Sequence, residues 1–323
     1  MAPTEDTPIQ RLSSFCGHNE IWMKRDDLLP FSFGGNKARI AQCFFDDMMA
    51  KKCNAIVAYG SLKSNLCRVV ANMASAKGVP CWVVAKTATE DRPTFNAQMV
   101  RTLGAHVVAC DQSGVRAAVQ QALGEAAALG LKPYYIYGDT SGNGNEAVPG
   151  QAYVRAYEEI MRFEKKRGPF DYLFITTGTG MSQGGLVAGA TLAGNQRRIV
   201  GLTISRPPEV AAQHVRRYAD AYLEPHSLRS SPSSVEVSDF ALGGGYGLYD
   251  ARVLEVIDQL FASEGIASDP TYVAKGFLGM QDYLRAREIE NARVLFIHTG
   301  GIPGFFDSLE RNRSDFHEAR ATG

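Results

Sequence analysis

Residues 172–194 read YLFITTGTGMSQGGLVAGATLAG. The opening YLFITT is short, apolar and rich in β-branched and aromatic side chains, as a strand covered on both faces should be. Gly178 and Gly180 then break the run, and LVAGATLAG continues with the small apolar residues of a buried helix. A strand that turns through glycines straight into a helix is one half of a βαβ unit. Farther toward the C-terminus, RIVGLTI at 198–204, a helical pattern from Ala251 to Glu264 and VLFIHT at 294–299 continue the alternation. On the N-terminal side AIVAY (55–59), a helix from Ser64 to Lys77, CWVVAK (81–86), a helix near Phe95 to Leu103 and HVVA (106–109) form an earlier series. Such alternation predicts right-handed crossovers and mostly parallel sheets, hence an α/β chain.

In the loop TTGTGMSQGG, Thr176 to Gly185, glycines let the backbone turn sharply so that several amide hydrogens converge. The start of the following helix adds positive potential, and together these suit a phosphate. A tight strand-to-helix turn without a ligand satisfies the same residues. No Lys-Ser or Lys-Thr follows the glycines, which excludes a Walker A loop. A dinucleotide fold wants an acidic residue at the end of the next strand, but RIVGLTIS runs into Ser205 and Arg206. Arg206 suits the extra phosphate of NADP, so an NADP-linked oxidoreductase stays open as a rival. Against it, a nucleotide turn normally opens its own βαβ unit, and here a whole domain precedes it.

A chain of 323 residues is long enough for two medium domains. Charge, Gly and Pro in EKKRGPFD, residues 164–171, mark a boundary before YLFITT, and a second boundary is read near Gln42. The segment from Tyr218 to Asp239, rich in Ser and Pro, reads as a covering loop. Lys plus Arg and Asp plus Glu both number 34, so nothing pulls the chain toward nucleic acid or an anionic membrane. The six cysteines show no metal spacing and read as reduced thiols. The opening MAPTEDTPIQRLSSF is charged where a leader needs an apolar run, and no stretch of about twenty apolar residues occurs, so a cytoplasmic protein is expected.

In WMKRDDLLPFSFGGNKARI, Trp22 to Ile40, two glycines and an Asn precede Lys37 at the apparent start of a helix. Positive potential there favours the neutral amine, and burial pushes the same way. A neutral amine is what Schiff-base chemistry requires. A solvated lysine in a first helical turn is the plain alternative.

KRDDL, GGNKAR, GSLKSNLCR, TTGTGMSQGGL, GGGYG, SDPTYVAKG and HTGG follow one another along the chain. In these motifs and their order the sequence resembles the 1-aminocyclopropane-1-carboxylate (ACC) deaminase and D-cysteine desulfhydrase family of fold type II pyridoxal 5′-phosphate enzymes. The resemblance covers most of the chain. It implies a two-domain, three-layer αβα fold of the tryptophan synthase β type. Residues 1–42 with 157–323 would form the large cofactor-binding domain, and 43–156 an inserted small domain. A homodimer and a small amino-acid substrate are further implications.

By the same resemblance Lys37 would carry the cofactor, and Gly178, Thr179, Gly180, Met181 and Ser182 would cradle its phosphate. Asn65 would meet the phenolic oxygen, while Ser64 and the amides of its helix start would hold the substrate carboxylate. Ser64 is also a plain N-cap, and one residue can do both. Tyr246 and Tyr272 match two tyrosines that face cofactor or substrate, though lone tyrosines also fit core packing. Thr299 looks like the neutral partner of the pyridine nitrogen, which weakens the ring as an electron sink and suits elimination. His298 reads as a packed strand-end residue.

Three positions depart from the family pattern. Lys63 stands where the family has Gln, Leu66 where a polar residue such as His is common, and Val273 where deaminases have Glu. Val273 cannot pair with a protonated ring nitrogen, which argues against true ACC deaminase activity. Lys63, next to the substrate-binding trio Ser64, Asn65 and Leu66, adds a cation that suits a second anionic group, as in cysteate, and a lysine pointing into solvent at the loop edge is the plain alternative. The expected activity is a lyase running α,β-elimination, with pyruvate and ammonia among the products. A racemase, a β-replacement enzyme, and a non-catalytic metabolite-binding relative remain beside it.

Overall fold

The computed structural model describes residues 6–86 and 93–309. Residues 1–5 of the charged opening segment and 310–323, the end of the expected large domain, lie outside the described residues. The described chain opens with β1 (Ile9–Arg11), β2 (Glu20–Arg25) and α1 (Asn36–Ala50). Then come β3 (Ala55–Ser61), α2 (Asn65–Lys77), β4 (Cys81–Lys86), α3 (Phe95–Thr102), β5 (His106–Cys110), α4 (Val115–Ala128) and β6 (Pro133–Tyr135). They are followed by α5 (Gly150–Arg167), β7 (Tyr172–Thr177), α6 (Met181–Leu192), β8 (Arg198–Thr203) and α7 (Pro208–Leu223). Next are β9 (Glu236–Ser238), α8 (Ala251–Glu264), α9 (Val273–Ala286) and β10 (Arg293–His298), after which residues 302–309 are helical.

The chain divides into two compact units, one of residues 37–149 and one of 1–36 with 150–323. Boundaries at 42 and 156 would cut through α1 and α5. The units instead change over at the starts of these helices, whose hydrogen-bonded turns hold together as bodies.

In the contiguous unit four parallel strands run in the order β5-β4-β3-β6. Val57, Trp82, Val84 and Val108 face α4, which supplies Ala118, Val119, Ala122 and Ala126. The alternate side chains Ile56, Ala58, Val83 and Ala85 are equally buried, so both faces of this sheet are covered. Ser64 caps α2 and Gly78 ends it in the left-handed conformation, which explains the sharp limits of that helix.

In the discontinuous unit the order is β1-β2-β10-β7-β8-β9, with β1 antiparallel and the remainder parallel. One face packs Ile21, Met23, Phe174, Val200, Val294 and Phe296 against α8 and α9. The other buries Leu173, Ile175, Leu295 and Ile297 on the side of α5, α6 and α7. Each unit is thus a sheet between helical layers. The Ser- and Pro-rich segment from Tyr218 to Asp239 is not all loop: it holds the end of α7 and the edge strand β9. With three residues and one partner strand, β9 is too short to show a pattern.

All six cysteines are unbridged. No helix among the described residues is long and apolar enough to cross a membrane.

Candidate active site

In the discontinuous unit β2, β10 and β7 lie side by side and parallel, so the loops that follow them leave one edge of the sheet. Ligands of open α/β sheets bind at such carboxyl edges. The loop after β7 is the glycine turn, the loop after β10 is Thr299 to Gly301, and the chain after β2 leads to Lys37.

Gly180 caps α6 with φ +93, and a Cβ there would stand 3.0 Å from the backbone nitrogen of Val215. Only glycine brings the chain through this point unstrained. The helix that follows begins at Met181, and its first amides, those of Met181, Ser182 and Gln183, have no carbonyl to bond within the helix. Two side chains brace the turn from behind. Thr177 donates its hydroxyl to Gln183 Oε1 at 2.8 Å, and Arg206 donates from Nη1 to the Gly178 carbonyl at 2.5 Å. Arg206, which the sequence left open as an NADP ligand, is therefore engaged with the loop itself.

The approach to Lys37 is anchored in the same unit. Ser32, Phe33, Gly34 and Gly35 all have positive φ, a costly run for Ser and Phe. The run is held by the Gly34 amide on the Phe31 carbonyl at 2.9 Å and the Gly35 amide on the Asp26 carbonyl at 2.7 Å. Gly35 passes so close to the β10 loop that a Cβ would lie 2.6 Å from the Thr299 carbonyl. Asn36 donates its amide to that carbonyl at 3.0 Å and its side-chain Nδ2 to Ser182 Oγ at 2.9 Å. Lys37 is the next residue, one peptide step from both loops. It keeps part of its surface open to solvent, yet enough protein surrounds its amine that burial brings the pKa from 10.5 to about 8.

Behind the turn lies a buried ionic cluster made from KRDDL. Lys24, fully buried, donates to Glu159 and Thr7 and lies 3.3 Å from Asp26. Asp26 also accepts from Thr7 at 2.7 Å and Tyr153 at 2.8 Å, and Arg25 holds Asp27 through two nitrogens. His298 is fully buried at the end of β10. Its Nε2 faces the Ala267 carbonyl at 2.9 Å and its Nδ1 accepts from Gly300 at 3.2 Å, a pattern that fits the neutral ring with the proton on Nε2. Burial lowers its pKa, in keeping with that form.

The same unit brings the two tyrosines together. Tyr246 Oη and Tyr272 Oη are 2.8 Å apart, with ring planes at 72°. Tyr272 precedes α9, and Asp269 holds that helix start by accepting the amides of Thr271, Tyr272 and Val273 at 2.9–3.1 Å. Burial, working against these three bonds, raises the Asp269 pKa to about 6. Val273 is fully buried in the core around α8 and α9.

The remaining predicted residues belong to the contiguous unit. Ser64 Oγ accepts the amides of Leu66 at 3.2 Å and Cys67 at 3.4 Å, so it is an N-cap. Asn65 Oδ1 accepts from Asn96 at 3.1 Å and Arg68 at 3.5 Å, which leaves its NH2 as the donor group for a ligand oxygen. Asn96 Nδ2 also donates to the Lys63 carbonyl at 2.8 Å and so fixes both ends of Lys63-Ser64-Asn65. Lys63 is half-buried, and Leu66 is buried in the helix's packed face. Asn36, Asn96 and Lys275 had drawn no role from the sequence. Asn36 stands inside GGNK, where its polarity was a usable signal, whereas Asn96 lies outside every motif.

A sequence model of the family described as pyridoxal-phosphate dependent enzyme matches residues 2–300. The chain belongs to this family. A solved ACC deaminase homologue superposes with a TM-score of 0.81 at 26% identity, covering 96% of this chain and 93% of that one. O-ureido-L-serine synthase superposes with a TM-score of 0.67 at 16% identity, covering 93% of this chain and 90% of that one, a likeness of fold alone. As a pyridoxal-phosphate dependent enzyme the chain has residues that fit the group. Unpaired helix amides and a glycine turn at residues 178–182 suit a phosphate, and Lys37 offers an amine with a lowered pKa.

Proposed function

We propose that this enzyme is a lyase of the D-cysteine desulfhydrase type, eliminating a β-substituent from a small amino acid. The observation that carries the reading is the pair Thr299 and Val273. A hydroxyl ends β10 beside the phosphate-type turn of β7, and a fully buried valine stands where the resembling deaminases have a carboxylate. Pyridoxal phosphate, when bound, supplies an aldehyde for a lysine amine and a ring that withdraws charge from a substrate's Cα. Thr299 would offer the ring of the bound group a hydroxyl rather than an acid, which would leave it a weaker sink, sufficient for loss of a good β leaving group.

The chain's own residues divide the work. Lys37 Nζ holds the cofactor and, once displaced by the substrate amine, takes the Cα proton as general base. Amides of Gly178 to Ser182 would hold the phosphate, and the Asn65 NH2 would be the donor for the phenolic oxygen. Ser64 directs its hydroxyl proton to the substrate carboxylate, because its lone pairs already serve Leu66 and Cys67. The hydroxyl pair of Tyr246 and Tyr272 passes a proton to the departing group. The leaving group takes the bonding pair from Cβ, and the released enamine hydrolyses to pyruvate and ammonia. We further propose a homodimer working in the cytoplasm.

Lys63, adjoining Ser64, favours a second reading in which the substrate carries an extra anion. Side-by-side turnover of D-cysteine and cysteate tests it. Lys63→Gln should selectively lower turnover of cysteate, and equal losses on both substrates would remove the idea. The main proposal is tested by a screen of small D- and L-amino acids with visible spectroscopy and keto-acid detection. Pyruvate from a β-substituted amino acid is the expected result, and a racemised or substituted product without keto acid would overturn the lyase assignment.

A further inference from the structure

Lys275 sits in the first turn of α9, three residues after Tyr272. A cation is misplaced at that end of a helix, because the amides there already project positive potential. The side chain is nevertheless 4% exposed, and its ammonium has found full satisfaction. Nζ donates to the carbonyls of Leu242 at 2.8 Å, Gly245 at 2.8 Å and Leu248 at 2.7 Å. Three protons thus meet three acceptors, all from the one loop that carries GGGYG.

That loop depends on the ammonium in a second way. Gly243, Gly245 and Gly247 take positive φ, and a Cβ on Gly243 would lie 3.4 Å from Lys275 Nζ. The internal loop bonds are few: the Leu242 amide on the Asp239 carbonyl, the Gly245 amide on the Leu242 carbonyl and a longer bond from Leu248 to Gly245 at 3.3 Å. Glycines leave such a segment many unfolded alternatives, so a charge at its centre is what selects one. Within this loop Tyr246 is exposed, and its hydroxyl meets Tyr272 Oη.

We propose that Lys275 is a positioning residue, a clasp whose ammonium gathers the carbonyls of residues 242, 245 and 248 and so sets the Tyr246 hydroxyl on Tyr272. The clasp links the two tyrosines through the loop that carries one of them and the helix start that carries the other. It rests on the reading of those tyrosines as part of the reacting machinery, and its test separates the two claims.

Hydrogen exchange of the full-length protein, read by mass spectrometry, addresses the clasp directly. Lys275→Met keeps the methylene stem and removes the donors. Exchange across residues 242–248 should quicken about tenfold while α6 and β7 stay unchanged, and unaltered exchange in the loop would overturn the clasp. Should Lys275→Met unfold, Lys275→Arg keeps a buried cation but presents a planar fork that cannot meet three carbonyls at once. On the proposal Lys275→Arg lowers kcat about tenfold with KM little changed. In a Tyr246→Phe background it then has almost no further effect; losses that multiply would show that Lys275 does not act through Tyr246. Cofactor absorption is recorded for every variant. Wild-type protein with faster-exchanging Lys275→Met but no visible band would retain the clasp and remove the tyrosines' proposed role.

Discussion

Asn36 donates from Nδ2 to Ser182 Oγ at 2.9 Å, so the residue before Lys37 is fastened to the first turn of α6. One hydrogen bond ties the approach to the lysine to the helix whose amides hold the proposed phosphate. Asn36→Ala should weaken cofactor binding about tenfold, the worth of one hydrogen bond of about 1 kcal/mol or slightly more. Titration of apoprotein with pyridoxal phosphate measures it, and wild-type affinity would show that the bond does not position the lysine.

Lys37 gives a pH dependence with a definite sign. With its pKa near 8, the neutral fraction of the amine climbs about tenfold per unit below that point and levels off above it. The rate at which apoprotein captures pyridoxal phosphate should therefore rise to about pH 8 and flatten. A rate still climbing through pH 10 would indicate an ordinary lysine.

Stability follows from the same shift. A lysine whose folded pKa lies below its unfolded value binds fewer protons when folded, so stability rises with pH between about 8 and 10.5. Below that window the buried charge costs up to about 3 kcal/mol. Lys37→Met should accordingly raise the Tm of the apoprotein at pH 7, with the gain shrinking between about pH 8 and 10.5 and gone above it.

Gly180→Asp places a side chain where the backbone has φ +93 and where Val215 leaves no room, and adds a negative charge beside the helix start. Cofactor affinity should fall about a hundredfold or more through repulsion and lost close approach. Unchanged affinity in an equilibrium titration would refute the phosphate assignment for this turn.

Val273→Glu would put an unpaired carboxylate into the core around α8 and α9. A loss of about 3 kcal/mol or more is expected, visible as a lower melting temperature, with no gain of ring opening on the cyclopropane substrate. Deaminase activity in this variant would show that the position alone separates the two reactions.

The strands of both sheets were legible because burial on two faces leaves near-continuous apolar runs, as in YLFITT and CWVVAK. β1, β2, β6 and β9 escaped notice: three residues carry no period, and β2 ends in the charged pair Lys24 and Arg25. Within the candidate site, motifs located Lys37, Ser64 and the glycine turn, but not the partners that fix them. Lys24 and Glu159 lie 135 positions apart, and Asp26 and Tyr153 lie 127 apart, so nothing local announces either bond. Lys275 was hidden differently, because a lysine near a helix start ordinarily reads as solvated. The unit boundaries were displaced into α1 and α5 for want of a signal sharper than composition at those helix starts.

β2 lies between β1 and β10, and this order has a price during synthesis. A ribosome delivers β2 well over two hundred residues before its parallel neighbour, Arg293–His298. In between, the uninterrupted unit of residues 37–149 emerges complete, while the KRDD strand waits with one edge unbonded and Lys24 still lacking Glu159. Non-local pairing of this kind folds late and leaves nascent apolar strands open to aggregation. Damage to β10 is therefore felt first at β2.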